Sequence, residues 1–286
     1  MPNIIKRVAA IHDLSGFGRC SLTTVIPILS AMKTQVCPVP TAVLSTHTGG
    51  FSDFAFIDLT DYLRDYIRHW KELKISFDCI YSGFLGSEEQ FDIVSEFMTD
   101  FQSADTLTVV DPVLGDDGVL YSTITEQMAD KMKHLITMAD VITPNITEAA
   151  ILLNETVPDS MTDREIKQWL KRLSSKGPKT VVITSTPDKK NKFGSVVCYD
   201  GTSYYKTGCD HIPENYPGTG DIFTSILTGA LLNGEALPDA MGMAVNYVSL
   251  CMRETYQYKT PPREGVVLEK LLDQVFSKSD IHYEAF

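Results

Sequence analysis

No stretch of the chain approaches the roughly 20 consecutive apolar residues that a membrane-spanning helix needs. The segment from Met1 to Asp13 is an apolar patch broken by Lys6, Arg7, His12 and Asp13, and it has neither the h-region nor the small-residue cleavage site of a signal peptide. Cysteine is sparse. Cys20, Cys37, Cys79, Cys198, Cys209 and Cys251 are scattered with no CxxC pair, which speaks against zinc and reads as reduced, mostly core thiols of a cytoplasmic protein. Positive charge is also short. With 25 Lys and Arg against 37 Asp and Glu, the net charge of −12 and a pI near 4.9 argue against a nucleic-acid surface. No linker, internal repeat or low-complexity tract interrupts the 286 residues, so residues 1–286 are expected to form one domain. Hydrophobic residues make up 43%, enough to exclude a disordered, collagen-like or miniprotein chain.

What is present is alternation. Arg7–Ile11, Gln35–Val39, Cys79–Tyr81, Leu107–Val110, Val141–Ile142 and Val181–Ile183 have the length and β-branched or aromatic content of strands. Between them, Asp61–Leu73, Glu88–Phe101 and Ile124–Met138 carry apolar residues at helical spacing. Such alternation predicts parallel strands joined by right-handed crossovers, with helices on both faces of the sheet. After Thr184 the pattern changes: Gly194–Tyr199 and Ser203–Lys206 read as a hairpin around Asp200-Gly201. Helices are then expected over Ile222–Asn233 and Leu237–Tyr256, with a last one near Val266–Phe276.

Ligands of open parallel sheets bind beyond the carboxyl ends of the strands, so the residues after each apolar run matter most. They are unusually polar: His12-Asp13, Ser45 to Gly50, Ser82-Gly83, Asp111 to Asp116, Thr143 to Glu148, and Thr184-Ser185. The sharpest feature is Pro217-Gly218-Thr219-Gly220-Asp221 ahead of an apolar helix. Glycines there let consecutive backbone N–H groups face one concavity at the positive end of a helix dipole, which makes an anion hole. Asp221 beside it could take a proton from a nucleophilic hydroxyl while the amides hold a phosphoryl group. It could equally be a plain helix cap, and the motif alone leaves the two readings level. Two rival nucleotide motifs fail. Gly16-Phe17-Gly18-Arg19-Cys20-Ser21 lacks the third glycine of a dinucleotide fingerprint, and no G-x-x-x-x-G-K-[ST] occurs.

Asp111, Asp116, Asn145 and Glu148 are oxygen donors at loop ends, a set that suits Mg²⁺ with its retained waters; for Asn145 and Glu148 alone, a capping arrangement is the simpler reading. His47, in a loop made close by Thr48-Gly49-Gly50, is the histidine most suited to a site, whereas His69 and His134 sit on helices as surface residues. His211 is placed for a lid. Lys189, Lys190 and Lys192 form the one basic cluster, and a solvated hairpin tip explains them more simply than phosphate steering.

Taken together, these motifs resemble a known family. Gly218-Thr219-Gly220-Asp221 is similar to the signature of the ribokinase-like superfamily of small-molecule kinases. Asp111-Pro112-Val113-Leu114-Gly115-Asp116, Ile142-Thr143-Pro144-Asn145-xx-Glu148, Ser45-x-His47-Thr48-Gly49, Ser82-Gly83-Phe84-Leu85-Gly86-Ser87 and Thr180 to Ser185 resemble pyridoxal kinases, in the family's order from about residue 7 to 233. The resemblance implies a three-layer α/β/α sandwich with a central, mostly parallel sheet. It implies ATP-dependent phosphorylation of the 5′-hydroxymethyl group of pyridoxal, pyridoxine or pyridoxamine. In that scheme Asp221 is the base, and the amides around Gly218, Thr219 and Gly220 hold the transferred phosphoryl. Asp116, Asn145 and Glu148 serve the Mg·ATP phosphates directly or through water, with Asp116 and Glu148 on the metal side and Asp111 in support. Thr184 and Ser185 contact the nucleotide, and Thr48 with His47 lines the vitamin pocket. A homodimer and a monovalent cation such as K⁺ near the phosphates are implied as well.

Two positions depart from the family pattern. Where a Ser commonly contacts the pyridine ring, His12 or Asp13 stands, and Asp13 is assigned to the pocket. Phe84 replaces a common Tyr, losing a hydroxyl and keeping a ring. An Asp near the first strand also occurs in hydroxymethylpyrimidine kinases of the thiamin pathway, which makes them the alternative; a non-catalytic sensor of pyridoxal phosphate or nucleotide is a third reading, and Asp221 speaks against it.

Overall fold

The computed structural model describes residues 4–187, 195–208, 212–278 and 281–286. In chain order the elements are β1 (Arg7–Phe17), α1 (Leu22–Ala31), β2 (Gln35–Thr46), β3 (Phe56–Asp58), α2 (Thr60–Glu72), β4 (Cys79–Ser82) and α3 (Glu88–Phe101). Next come β5 (Leu107–Val110), β6 (Gly115–Asp116), β7 (Val119–Leu120), α4 (Glu126–Leu135), β8 (Val141–Ile142), α5 (Ile146–Leu153) and α6 (Asp163–Ser174). The chain continues through β9 (Thr180–Thr186), β10 (Ser195–Tyr199), β11 (Tyr204–Gly208), α7 (Thr219–Leu232), α8 (Leu237–Tyr258) and β12 (Glu284–Ala285).

Ten strands form one sheet in the order β12-β11-β10-β9-β8-β5-β4-β1-β2-β3. The run from β9 to β2 is parallel, and antiparallel strands close both edges. Alternation along β1 explains the layers. Ala9 and Ile11 face one hydrophobic core, covered by α2 to α6, while Val8 and Ala10 face the other, covered by α1, α7 and α8. This is the α/β/α sandwich of the ribokinase-like fold. The β10–β11 hairpin turns at Asp200-Gly201, where Gly201 has φ +97°.

The expected strand ends and the expected last helix needed correction. The first two strands run further than their apolar runs, to Phe17 and Thr46, so His12, Asp13 and Ser45 lie within strands instead of in loops. Pairing between β1 and β2 satisfies backbone groups whatever the side chains are. The segment expected as a last helix near Val266–Phe276 holds only a 3₁₀ turn at Leu272–Gln274. Val266, Leu268, Leu271 and Val275 are buried all the same, because i+3 turns and a Thr255 hydroxyl accepting from Val267 N–H bend the segment over the α1/α8 core. Gly194, the lysine cluster, Cys209 and His211 lie outside the described residues. No helix among the described residues is long and apolar enough to cross a membrane.

Candidate active site

From β1 the sheet grows one way to β2 and the other way to β4, so the reversal of strand order lies between β1 and β4. A crevice beyond the strand ends is expected there. A register shift between His12 and Leu14 makes consecutive residues, His12 and Asp13, both buried at this point.

Helix α7 points its N-terminus at the same place. Gly218 caps it in the left-handed region, φ +83°, and a Cβ there would lie 2.0 Å from the carbonyl oxygen of Arg19, so only glycine fits. The amides of Thr219, Gly220 and Asp221 have no partner within the helix. Asp221 is not the cap residue: Gly218 holds that position, and Asp221 stands in the first turn of the helix. The Asp221 carboxylate turns to the β1–α1 loop instead: its Oδ2 accepts from Ser21 N–H at 2.8 Å and from the Cys20 thiol at 3.3 Å. Burial drives its carboxyl up to about 6; the Ser21 bond opposes the shift and the Asp13 charge adds to it.

Ser21 also serves Asp13. Its hydroxyl donates to Oδ1 of Asp13 at 2.5 Å, and Ser15 donates to Oδ2 at 2.8 Å. Burial raises the Asp13 pKa against these bonds. His47 is buried with both nitrogens engaged. Nδ1 accepts from Gly49 N–H at 3.1 Å, which leaves the proton on Nε2 for the Arg263 carbonyl at 2.8 Å. The imidazole therefore locks two loops together, with the Phe51 ring in T-shaped contact at a centroid distance of 5.1 Å. Thr48 beside it is half-buried. Phe84 is half-buried against the α2–α6 core, with its carbonyl accepting from Thr41.

On the other side of Asp221, Asp111 is buried; a Cβ at Gly220 would stand 3.9 Å from its Oδ2, and Thr224 donates to that oxygen at 3.4 Å. Glu148 is buried at the start of α5 and completes a capping box: Asn145 Oδ1 accepts from Glu148 N–H, and Glu148 Oε2 accepts from Asn145 N–H at 2.8 Å. Its Oε1 accepts from Leu114 N–H at 3.1 Å. The cap is thus real, and it aims the carboxylate inward. Asn145 also donates to the Gly115 carbonyl, tying α5 to the β6–β7 turn that exposes Asp116. Burial and then a neighbouring carboxylate, Asp221 for Asp111 and Asp111 for Glu148, hold both carboxyls above their ordinary range, and burial raises Asp116. Thr184 is half-buried near the end of β9, and exposed Ser185 accepts from Ile146 N–H at 3.4 Å.

Contacts and electrostatic neighbours therefore run unbroken from His47 and Asp13, through Ser21 and Asp221, to Asp111, Glu148 and Asp116. A family model described as phosphomethylpyrimidine kinase matches residues 25–264. Pyridoxal kinase from Lactobacillus plantarum superposes with a TM-score of 0.86 at 31% identity, covering 96% of this chain and 97% of that one. The chain belongs to the pyridoxal kinase family. A "putative phosphomethylpyrimidine kinase" of Bacteroides thetaiotaomicron, in a crystal form with pyridoxal, is 49% identical over 99% of this chain and 100% of that one, with a TM-score of 0.95. A Caenorhabditis elegans protein named "putative pyridoxal kinase" is 30% identical over 186 residues, 63% of this chain and 56% of its own length.

Sequence reasoning missed part of the site in this family member. Cys20 and Ser21 belong to the glycine motif set aside as a failed dinucleotide fingerprint, yet they hold Asp221. Thr224, on the next turn of α7, bridges Asp111 and Thr143. The usable signal was position: Gly16-Phe17-Gly18 follows the first apolar run at the same end of the sheet as the other loops. Buried Asp111 and Glu148, with exposed Asp116 at their edge, bring carboxylate oxygens together as a hard cation requires. No three His, Cys, Asp or Glu side chains form a metal cage among the described residues. This set fits a Mg²⁺ that keeps waters and phosphate oxygens and takes one or two protein carboxylates.

Proposed function

We infer that this chain is an ATP-dependent kinase of vitamin B6, phosphorylating the 5′-hydroxymethyl group of pyridoxal, pyridoxine or pyridoxamine within one ribokinase-like domain. The observation that carries the reading is Asp221: one carboxylate oxygen is held by the β1–α1 loop and the other is free, at a helix start whose amides suit a phosphoryl group. A primary alcohol is a poor nucleophile at neutral pH. It needs positioning, a base and neutralisation of phosphate charge.

Asp221 Oδ1 receives the hydroxyl proton, and its raised proton affinity suits that task near neutral pH. The N–H groups of Thr219, Gly220 and Asp221 cradle the transferred oxygens without any reorganisation during the step. Asp116 and Glu148 would hold Mg²⁺, directly or through water, and the ion when bound neutralises phosphate charge. Thr184 and Ser185 line the nucleotide side; Asp13, Thr48, Phe84 and the His47 face line the vitamin side. Pyridoxal in the Bacteroides thetaiotaomicron crystal supports the choice of vitamer class.

A second reading, hydroxymethylpyrimidine (phosphate) kinase, is favoured by Asp13 and by the family model's description. A coupled assay of ATP consumption with pyridoxal, pyridoxine, pyridoxamine and hydroxymethylpyrimidine decides between them. Turnover restricted to the pyrimidine overturns the vitamin B6 reading, and binding without turnover overturns both.

A further inference from the structure

Strand β1 brings two consecutive side chains to the site, and the functional reading uses only Asp13. His12 lies deeper. It is fully buried, and neither ring nitrogen has a hydrogen-bond partner among the described residues. Its Nδ1 stands 3.8 Å from Oδ1 of Asp221. Because Oδ2 is held by Ser21 and Cys20, the imidazole edge faces the one oxygen left to receive a proton.

The ring has little room to turn. Tyr81 packs edge-on against it, with centroids 4.4 Å apart and planes at 81°. At Gly83, a Cβ would come within 2.2 Å of Nδ1 and 2.3 Å of Cε1. Any side chain at position 83 would displace the imidazole.

A cationic imidazole at this distance would pair with Asp221 and weaken it as a base. Full burial works against that, pulling the His12 pKa down to about 3. The other groups that face Asp221 are Asp13 from β1, Cys20 from the β1–α1 loop, Tyr81 from β4 and Asp111 after β5. Of this set only His12 can become positive, and it stays neutral. A neutral ring excludes water from Oδ1 and supplies no compensating charge.

We propose that His12 is a positioning residue for the base: a neutral imidazole, locked by Tyr81 and Gly83, that keeps water from Oδ1 of Asp221 and so sets its strength toward the substrate hydroxyl. The proposal rests on the kinase reading above.

The test is the pH profile of kcat/KM for pyridoxal, measured on the full-length wild type and variants, with thermal melts to confirm folding. His12→Ala should move the acid limb down by about one pH unit, tenfold in proton affinity. Its kcat should fall while KM for ATP stays within about twofold. His12→Asn restores a neutral polar atom near the Nδ1 position and should return the limb toward the wild type. Gly83→Ala should disturb the limb when His12 is present and have no further effect in the His12→Ala background. If His12→Ala does not fold, the His12→Asn and Gly83→Ala profiles carry the comparison, and limbs unmoved by Gly83→Ala overturn the proposal. An unmoved limb in folded His12→Ala, or additive effects in the double variant, also overturns it. Absence of wild-type turnover with every vitamer would overturn the kinase reading and this inference together; turnover with an unmoved limb overturns the inference alone.

Discussion

The backbone N–H of Ser21 donates a 2.8 Å hydrogen bond to Oδ2 of Asp221, joining residues 200 apart in sequence. Ser21 adopts φ +51°, a conformation that costs an L-residue, and it persists because the same residue bonds two carboxylates, Asp221 through its N–H and Asp13 through its hydroxyl. One strained residue therefore sets the spacing between Asp13 and Asp221.

Removal of the base should cost chemistry and spare nucleotide binding. Asp221→Asn is expected to lower kcat about 10²- to 10⁴-fold, with ATP affinity by calorimetry little changed. Retained kcat would show that the base is misassigned.

The same carboxylate sets a pH dependence. Its folded-state pKa of about 6 exceeds the ordinary carboxyl value, so the folded protein binds the proton more tightly than the unfolded chain. Its contribution to stability is present below pH 4 and is lost as pH rises through 6. Asp221→Asn should accordingly raise stability at pH 8 by on the order of 2 kcal/mol and have little effect at pH 4. Denaturant melts at the two pH values check this. In the wild type, kcat/KM should rise with pH through about 6 as Asp221 ionises.

Separate roles for the two donors of Ser21 lead to separable kinetics. Ser21→Ala removes the hydroxyl bond to Asp13 and a long contact to the Cys20 sulfur, at a cost of about 1 kcal/mol, or roughly a fivefold rise in KM for the vitamin. Its kcat should hold, because the backbone N–H to Asp221 survives. A fall in kcat with KM unchanged would contradict this division.

Gly218→Ala should disrupt the anion hole. The new methyl would meet the Arg19 carbonyl at 2.0 Å in a backbone region that already disfavours a side chain. A loss of about 1–3 kcal/mol in stability is expected, together with a fall in kcat/KM. An unchanged melting temperature would mean that the β1–α1 loop yields.

Asp116 lies exposed on the β6–β7 turn, so its substitution should leave folding alone. Asp116→Ala is expected to raise the Mg²⁺ concentration for half-maximal rate about tenfold. Rates insensitive to Mg²⁺ in both proteins would remove the metal role from this residue.

Much of this was legible in the residue pattern. Val8 and Ala10 against Ala9 and Ile11 already indicate a strand buried on both faces, and Gly218 with Gly220 announces a helix start with open amides. Asn145 with Glu148 announces a cap, which the structure contains. The pattern could not show that β1 carries on through His12 and Asp13, because strand pairing depends on a partner, β2, about 28 residues away. Nor could it show that Val266 to Val275 bends over α8 without forming a helix, since the same apolar spacing serves either conformation.

Hydrophobic period and glycine placement are local properties, so the fold class, the order of the loops at one end of the sheet and the residue types available there for phosphoryl transfer can be read along the chain. Which oxygen of Asp221 is free, that Ser21 and Cys20 hold the other, and that His12 stands 3.8 Å from the free one emerge only in the folded chain. Those facts depend on distances between residues remote in the chain, and on burial, which together with neighbouring negative charge raises the proton affinity of Asp221 and Asp111.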